Sequence, residues 1–190
     1  MDRGAIVDAF GNLQTDDHRA MNILLGALHK EMDNSLRGRA CNALGKIGSA
    51  AHPSVPRLLE MLSDPENLLR EGAAVALGRI TPIRSTTVQA LIIALQDTYA
   101  GVRSAAAKAL GSVEPPTELL ITALRCALQD KEDYVKVAAV EALGQIGTPA
   151  RNAEGDIHQF IESLGDLVRD VDVSFCQVAE DALKRIRGEG

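Results

Sequence analysis

The chain of 190 residues carries 20 Lys and Arg against 26 Asp and Glu, a net charge of −6 at pH 7; that balance excludes general nucleic-acid binding, which depends on clustered cations. Hydrophobic residues make up 46% but aromatic ones only 3%, with no Trp, so any core is built from Leu, Ile, Val and Ala. No apolar stretch reaches the ~18 uninterrupted residues that mark a membrane helix, and no basic segment leads into an apolar one at the amino terminus. A soluble protein of a reducing, cytoplasmic compartment is therefore expected.

Leu44, Leu77, Leu110 and Leu143 stand 33 residues apart, each followed by glycine. The text around them recurs as LRGRACNALGKIG from Leu36, LREGAAVALGRI from Leu69, VRSAAAKALGSV from Val102 and VKVAAVEALGQIG from Val135. A period of this length predicts stacked helical units, each covering only its neighbours, rather than separate globular domains. Residues 1–190 are read as one all-α solenoid.

Residues 3–13, RGAIVDAFGNL, align without a gap on residues 37–47, RGRACNALGKI. Residues 1–19 are thus a half-repeat: the second helix of a unit (B) plus a linker, with no first helix (A) before it. Its apolar set, Ile6, Val7, Phe10 and Leu13, exceeds what one neighbour covers, which favours an excerpt of a longer solenoid, or self-association through this end, over a simple cap. Five helical hairpins follow, over residues 20–48, 53–81, 86–114, 116–147 and 155–187. Their A helices carry i, i+3, i+4, i+7 stripes: Val55, Leu58, Leu59 and Leu62, then Val88, Leu91, Ile92 and Leu95, then Ile121, Leu124 and Leu128. Their B helices carry the alanines.

The step from Leu62 to Leu69, from Leu95 to Val102 and from Leu128 to Val135 is seven residues each time. In those turns Asp64 with Pro65, Asp97 and Asp130 are expected to end helix A and cap helix B. Between units, Gly48 to Pro53, Thr81 with Pro82, Pro115 with Pro116 and Gly147 to Pro149 break the B helices. The step from Leu143 to the matching Leu183 is 40 residues, and residues 148–156, TPARNAEGD, are expected to hold a protruding seven-residue insertion. The charged segment EDALKRIRGEG predicts a terminal unit that seeks no further neighbour.

With its turn acids and Leu-Gly helices, the pattern resembles HEAT repeats, most closely the short type of the phycobilisome lyases, "D..VR..AA.ALG.IG", over residues 20–187. The resemblance implies a right-handed α-α superhelix, a solenoid of the HEAT or armadillo kind, with the B helices on its concave side. Asp64 and Arg70, Asp97 and Arg103, and Asp130 and Lys136 match the family's turn acid and the base six residues later. Glu31 and Arg37 are a looser instance, and in the last unit Asp170 is kept while Cys176 replaces the base. Groups repeated in every unit are expected to tie one turn to the next.

No enzyme, metal or cofactor is expected from these residues. His18, His29, His52 and His158 form no HxxxH, HExxH or His-Glu pair, so convergent metal ligands are missing. That also removes the di-iron hydroxylases of similar fold, and the shortage of aromatic side chains disfavours the similar DNA glycosylases. Cys41, Cys126 and Cys176 form no CxxC and are expected as half-buried structural thiols. Gly45, Gly78, Gly111 and Gly144 are repeat positions that admit close helix packing, not a phosphate loop.

Two columns of polar B-helix positions vary while their neighbours stay constant. One is Asp8, Asn42, Val75, Lys108, Glu141 and Asp181; the other is Asn12, Lys46, Arg79, Ser112, Gln145 and Arg185. Because folding does not dictate them, Asn42, Lys46, Val75, Arg79, Lys108, Ser112, Glu141 and Gln145 are the candidate partner-binding residues of a non-catalytic scaffold for a protein or peptide. Lys46, Arg79 and Lys108 precede Glu141 and Asp181, giving a dipolar groove. The lyase resemblance implies a second reading, a subunit that handles a bilin chromophore, with Cys41, Cys126 or Cys176 as contact points. A self-associating structural segment is a third.

Overall fold

The computed structural model describes residues 3–13, 18–165 and 173–189. They are all helical, with no strand among them. In chain order the helices are α1 (Arg3–Leu13), α2 (His18–Ala27), α3 (Asn34–Ile47), α4 (Val55–Met61), α5 (Asn67–Arg79) and α6 (Ser85–Ala94). They continue with α7 (Ala100–Gly111), α8 (Glu118–Ala127), α9 (Asp133–Ile146), α10 (Glu154–Gly165) and α11 (Val173–Arg187). The even-numbered helices are the A helices and the odd-numbered ones the B helices. Each pair packs as a hairpin, and α1, α3, α5, α7, α9 and α11 stack in sequence.

The stripes read from sequence point into this stack. Leu24, Leu58, Leu91 and Leu124 are fully buried at equivalent positions of α2, α4, α6 and α8, and Ile157 takes that place on α10. The B helices bury Ala40, Ala73, Ala106 and Ala139 together with Leu44, Leu77, Leu110 and Leu143. The core runs the length of the solenoid, its two sections meeting on α5.

The repeated glycines mark the closest contact between successive B helices. A Cβ on Gly78 would lie 2.6 Å from Ala109 Cβ and 2.8 Å from its Cα; on Gly111 it would lie 2.8 Å from Ala142 Cα, and on Gly144 2.8 Å from Ala182 Cα. Gly45 meets Ala76 less tightly, at 3.2 Å. At Gly78, Gly111 and Gly144 only hydrogen lets backbone rest on backbone, whereas the leucine-bearing A helices touch one another sparsely. The stack therefore bends toward its B side.

Helix ends follow local chemistry. Asp33 caps α3 by accepting Leu36 N–H at 2.9 Å, and the Thr117 hydroxyl caps α8 by accepting Leu120 N–H at 3.3 Å. Gly48 and Gly147 end α3 and α9 with φ of 69° and 71°, the left-handed region that favours glycine. Short 3-10 segments, Gly48–Ser54 and Thr148–Ala153, then lead into α4 and α10.

Two expectations change here. Asp64, Asp97 and Asp130 do not sit at the caps of α5, α7 and α9, which are Glu66, Tyr99 and Glu132. Each lies two residues earlier and accepts the N–H of that cap residue, at 3.0, 2.8 and 2.9 Å, so the carboxylate shapes the turn rather than the first helical turn. Nor do residues 148–156 protrude. Leu44 to Leu58 and Leu143 to Ile157 are both fourteen residues, and Ala150 and Ala153 are fully buried. The additional residues fall between α10 and α11, where 166–172 lie outside the described part, as does Asp170.

The turn acids serve a second purpose. Arg70 donates through Nε and Nη2 to Asp97 at 2.7 and 2.8 Å, and Arg103 to Asp130 at 2.6 and 2.7 Å. Their Nη1 groups turn back to the carbonyls of Asp64 and Asp97, both at 2.9 Å. Each arginine thus clamps its own turn to the turn of the next unit, with planar two-point geometry that lysine lacks. Arg37 makes the first rung to Asp64 through Nη2 alone; its turn is one residue longer, from Leu28 to Leu36, and its Nε is buried without a partner. Glu31 takes no part, lying 3.6 Å from His29. Lys136 bonds instead to Asp133 of its own helix at 2.8 Å.

The Arg70 bond, opposed by burial, holds the Asp97 carboxyl below the usual range. Burial pushes Asp64 and Asp130 up, but their arginine and backbone bonds outweigh it and both are also lowered. A carboxylate with a depressed folded pKa stabilises fully above its unfolded value of about 4 and loses that contribution as pH falls through the folded value. Urea midpoints should accordingly fall steadily below about pH 4. Asp97→Asn should flatten that acid limb and lose on the order of 3 kcal/mol at neutral pH, because Arg70 is left half-paired.

Glycine substitutions separate contact from propensity. Gly78→Ala should destabilise by about 1–3 kcal/mol in denaturant titrations through overpacking against Ala109. Gly26→Ala on α2, where a Cβ meets nothing within 4 Å, should leave stability unchanged or raise it by up to about 1 kcal/mol.

Candidate protein-binding face

On the inner side, backbone contacts leave furrows whose walls are the variable columns. Val75 and Arg79 of α5 face Lys108 and Ser112 of α7 across a furrow of about 300 Å3 floored by Gly78, Ala105 and Ala109. Glu141 and Gln145 of α9 face Asp181 and Arg185 of α11 across a furrow of about 350 Å3 floored by Gly144, Val178 and Ala182. Six of the eight candidate residues thus line two furrows. Asn42 and Lys46 stand exposed one unit earlier on α3 and line neither. Asp8 of α1 pairs with Arg39 of α3 at 3.2 Å rather than facing a furrow; the Asn12 side chain lies outside the description.

The charges on these walls are partly matched within the chain. Lys108 Nζ lies 3.6 Å from Glu141 Oε2 across α7 and α9, with Lys108 exposed and Glu141 half-buried. Asp181 accepts from Gln177 at 3.0 Å and lies 3.4 Å from Lys184 on its own helix. The side chains of Arg79 and Arg185, at equivalent positions of α5 and α11, make no hydrogen bond or ion pair among the described residues. Exposed pairs of this kind contribute little to stability, which leaves these charges free to exchange partners. Among the described residues there is no cluster of His, Cys, Asp or Glu able to hold a metal ion.

Sequence reasoning placed Asp181 and Arg185 in the columns but left them out of the site, although they wall the second furrow. It also missed the link from Arg125 on α8 to Asp156 on α10, 2.5 Å. The signal was there, because Arg125 interrupts the apolar stripe exactly where α4 and α6 carry Leu59 and Ile92.

At the amino-terminal end, Ile6, Val7, Ile23, Ala27, Met32 and Leu36 surround an apolar cavity of about 400 Å3 between α1, α2 and the start of α3. Val7 is buried and Ile6 half-buried; the Phe10 and Leu13 side chains lie outside the description. No described helix is long and apolar enough to cross a membrane.

A stack of two-helix units closed by polar turn rungs, with its B helices innermost, is an α-solenoid of the HEAT and armadillo kind. The model for HEAT repeats matches residues 2–78, 21–111 and 88–184, and the chain belongs to that family. Phycocyanobilin lyase subunit alpha of Picosynechococcus sp. (strain ATCC 27264 / PCC 7002 / PR-6) is 43% identical over 63 residues, 30% of this chain and 23% of that protein. The chain therefore matches only about a quarter of that relative's length. Among solved structures, an engineered protein superposes with a TM-score of 0.66 at 22% identity, covering 100% of this chain and 89% of its own. A designed armadillo repeat protein in complex with the peptide (KR)4 superposes with a TM-score of 0.64 at 19% identity, covering 88% and 82%.

The thiols differ in setting. Burial pushes the Cys41 thiol up to about 12, Cys176 is half-buried and, contrary to expectation, Cys126 is exposed on α8. Because only the thiolate reacts, a disulfide reagent at pH 8 should label Cys126 in the folded protein. Cys41 should react only after denaturation, as peptide mass mapping would show.

Proposed function

We propose that the protein is a non-catalytic scaffold that binds a partner protein or peptide along its inner B-helix face, in the cytoplasm. The supporting observation is the division of labour within each B helix: small residues close the stack, and the positions beside them, freed from that task, wall the furrows with differing chemistry. The designed armadillo protein that superposes on this chain holds a peptide, which supports the reading at the level of fold.

Display selection of random peptides on the intact protein tests it. Recovered peptides should lose about tenfold or more in affinity, mainly through slower association, when Lys46, Arg79 and Lys108 are changed together to Glu. All three are exposed, so the melting temperature should hardly move. Peptides indifferent to this change, or none at all, would overturn the reading.

Two other readings rest on separate observations. The 43% identity to a bilin lyase subunit favours handling of a bilin chromophore, with the exposed Cys126 as the accessible thiol; mixing with phycocyanobilin would then shift its absorption band. The apolar cavity against α1 favours self-association through the amino-terminal half-repeat, and light scattering with and without residues 1–19 would give different masses.

A further inference from the structure

The two furrows are the same site written twice. Each is walled by the same positions of two successive B helices, two units apart, over floors in which a Cβ on the glycine would lie the same 2.8 Å from the alanine Cα. The walls differ in sign. Val75 of the first furrow becomes Glu141 in the second, and Lys108 becomes Asp181; Arg79 becomes Gln145, and Ser112 becomes Arg185. The first furrow thus has two cations and no carboxylate, while the second has two carboxylates and a single guanidinium. Between them, the Lys108 to Glu141 pair spans α7 and α9 and joins the basic wall of one to the acidic wall of the other.

Resting on the reading of this face as a peptide-binding surface, we propose that it takes one extended peptide of mixed charge. A carboxylate side chain enters the α5/α7 furrow, and a Lys or Arg enters the α9/α11 furrow. Similar size gives the two furrows little steric means of telling one side chain from another; opposite sign does, because a like charge placed against either wall is repelled. Successive packed helices are about 8–10 Å apart, so two steps separate the furrows by roughly 16–20 Å. An extended chain advances about 3.3 Å per residue, which puts the acidic and basic side chains about five or six residues apart. A chain crossing the B helices at this spacing passes over the Lys108 to Glu141 pair between its two anchors. Arg79, with no partner among the described residues, is the group placed to receive the carboxylate.

Fluorescence anisotropy with labelled synthetic peptides tests this on the intact protein. The probe carries two Glu and two Arg separated by a Gly-Ser spacer that sets them about five residues apart; comparison peptides replace the charged residues by all Glu or all Arg, or double the spacer. The mixed probe should bind about tenfold or more tightly than either single-sign peptide and than the long-spacer version. Changing Arg79 and Lys108 to Glu should shift preference to the all-Arg peptide, and changing Glu141 and Asp181 to Lys should shift it to the all-Glu peptide. Equal binding of mixed and single-sign peptides, or indifference to spacer length, overturns the proposal. If the display selection yields groove-dependent peptides of one charge sign, the mixed-charge proposal fails while the scaffold reading stands. If it yields no groove-dependent peptides, the scaffold reading fails as well.

Discussion

Everything in this molecule depends on the contact between a glycine of one B helix and an alanine of the next. A backbone-to-backbone approach is available only where both partners are small, and it repeats at Gly45, Gly78, Gly111 and Gly144. On the other side of each hairpin, the leucines of α4, α6 and α8 hold the A helices farther apart. The difference between the two sides curves the stack and sets the B helices on its inner surface. The same contact leaves the furrow floors lined by glycine and small apolar residues, so the recognition surface is a by-product of the packing rule.

The turns are held by a different force. Arginine rungs from Arg37 to Asp64, Arg70 to Asp97 and Arg103 to Asp130 connect consecutive units along one edge. Each carboxylate also shapes its own turn by accepting a backbone N–H, so one side chain fixes both the local bend and the register of the neighbouring unit. Packing without these rungs would leave the hairpins able to rotate about the B-helix seam; rungs without packing would be exposed ion pairs of small value. Together they define one relative placement of neighbouring units.

Between seam and rungs, the two columns are released from structural duty. That freedom explains how furrows of similar size can carry opposite charge: Lys108 and Asp181 occupy equivalent places, and neither is required for the fold. Affinity in such a face comes from what enters the furrows, and direction from the order of charges along the stack. The apolar cavity between α1, α2 and the start of α3 belongs to another surface, away from the furrows.

The amino-acid sequence by itself determined the architecture, because the 33-residue spacing of Leu-Gly helices admits only one way to bury the alanines and leucines of every unit. It also named the columns, since a residue two positions from a buried alanine on a helix is forced to the opposite side of the contact. Three matters were decided only by tertiary structure, each for a reason of distance through space. The arginine that follows a turn acid by six residues pairs with the acid 27 residues onward, because stacking brings the next turn nearer than its own carboxylate can bend. The additional residues of the last unit fall between α10 and α11 rather than at 148–156, where Ala150 and Ala153 are fully buried in the stack. And the eight candidate residues divide into two furrows of opposite sign only when helices far apart in sequence lie side by side, since charge lists along a chain carry no information on which walls face each other.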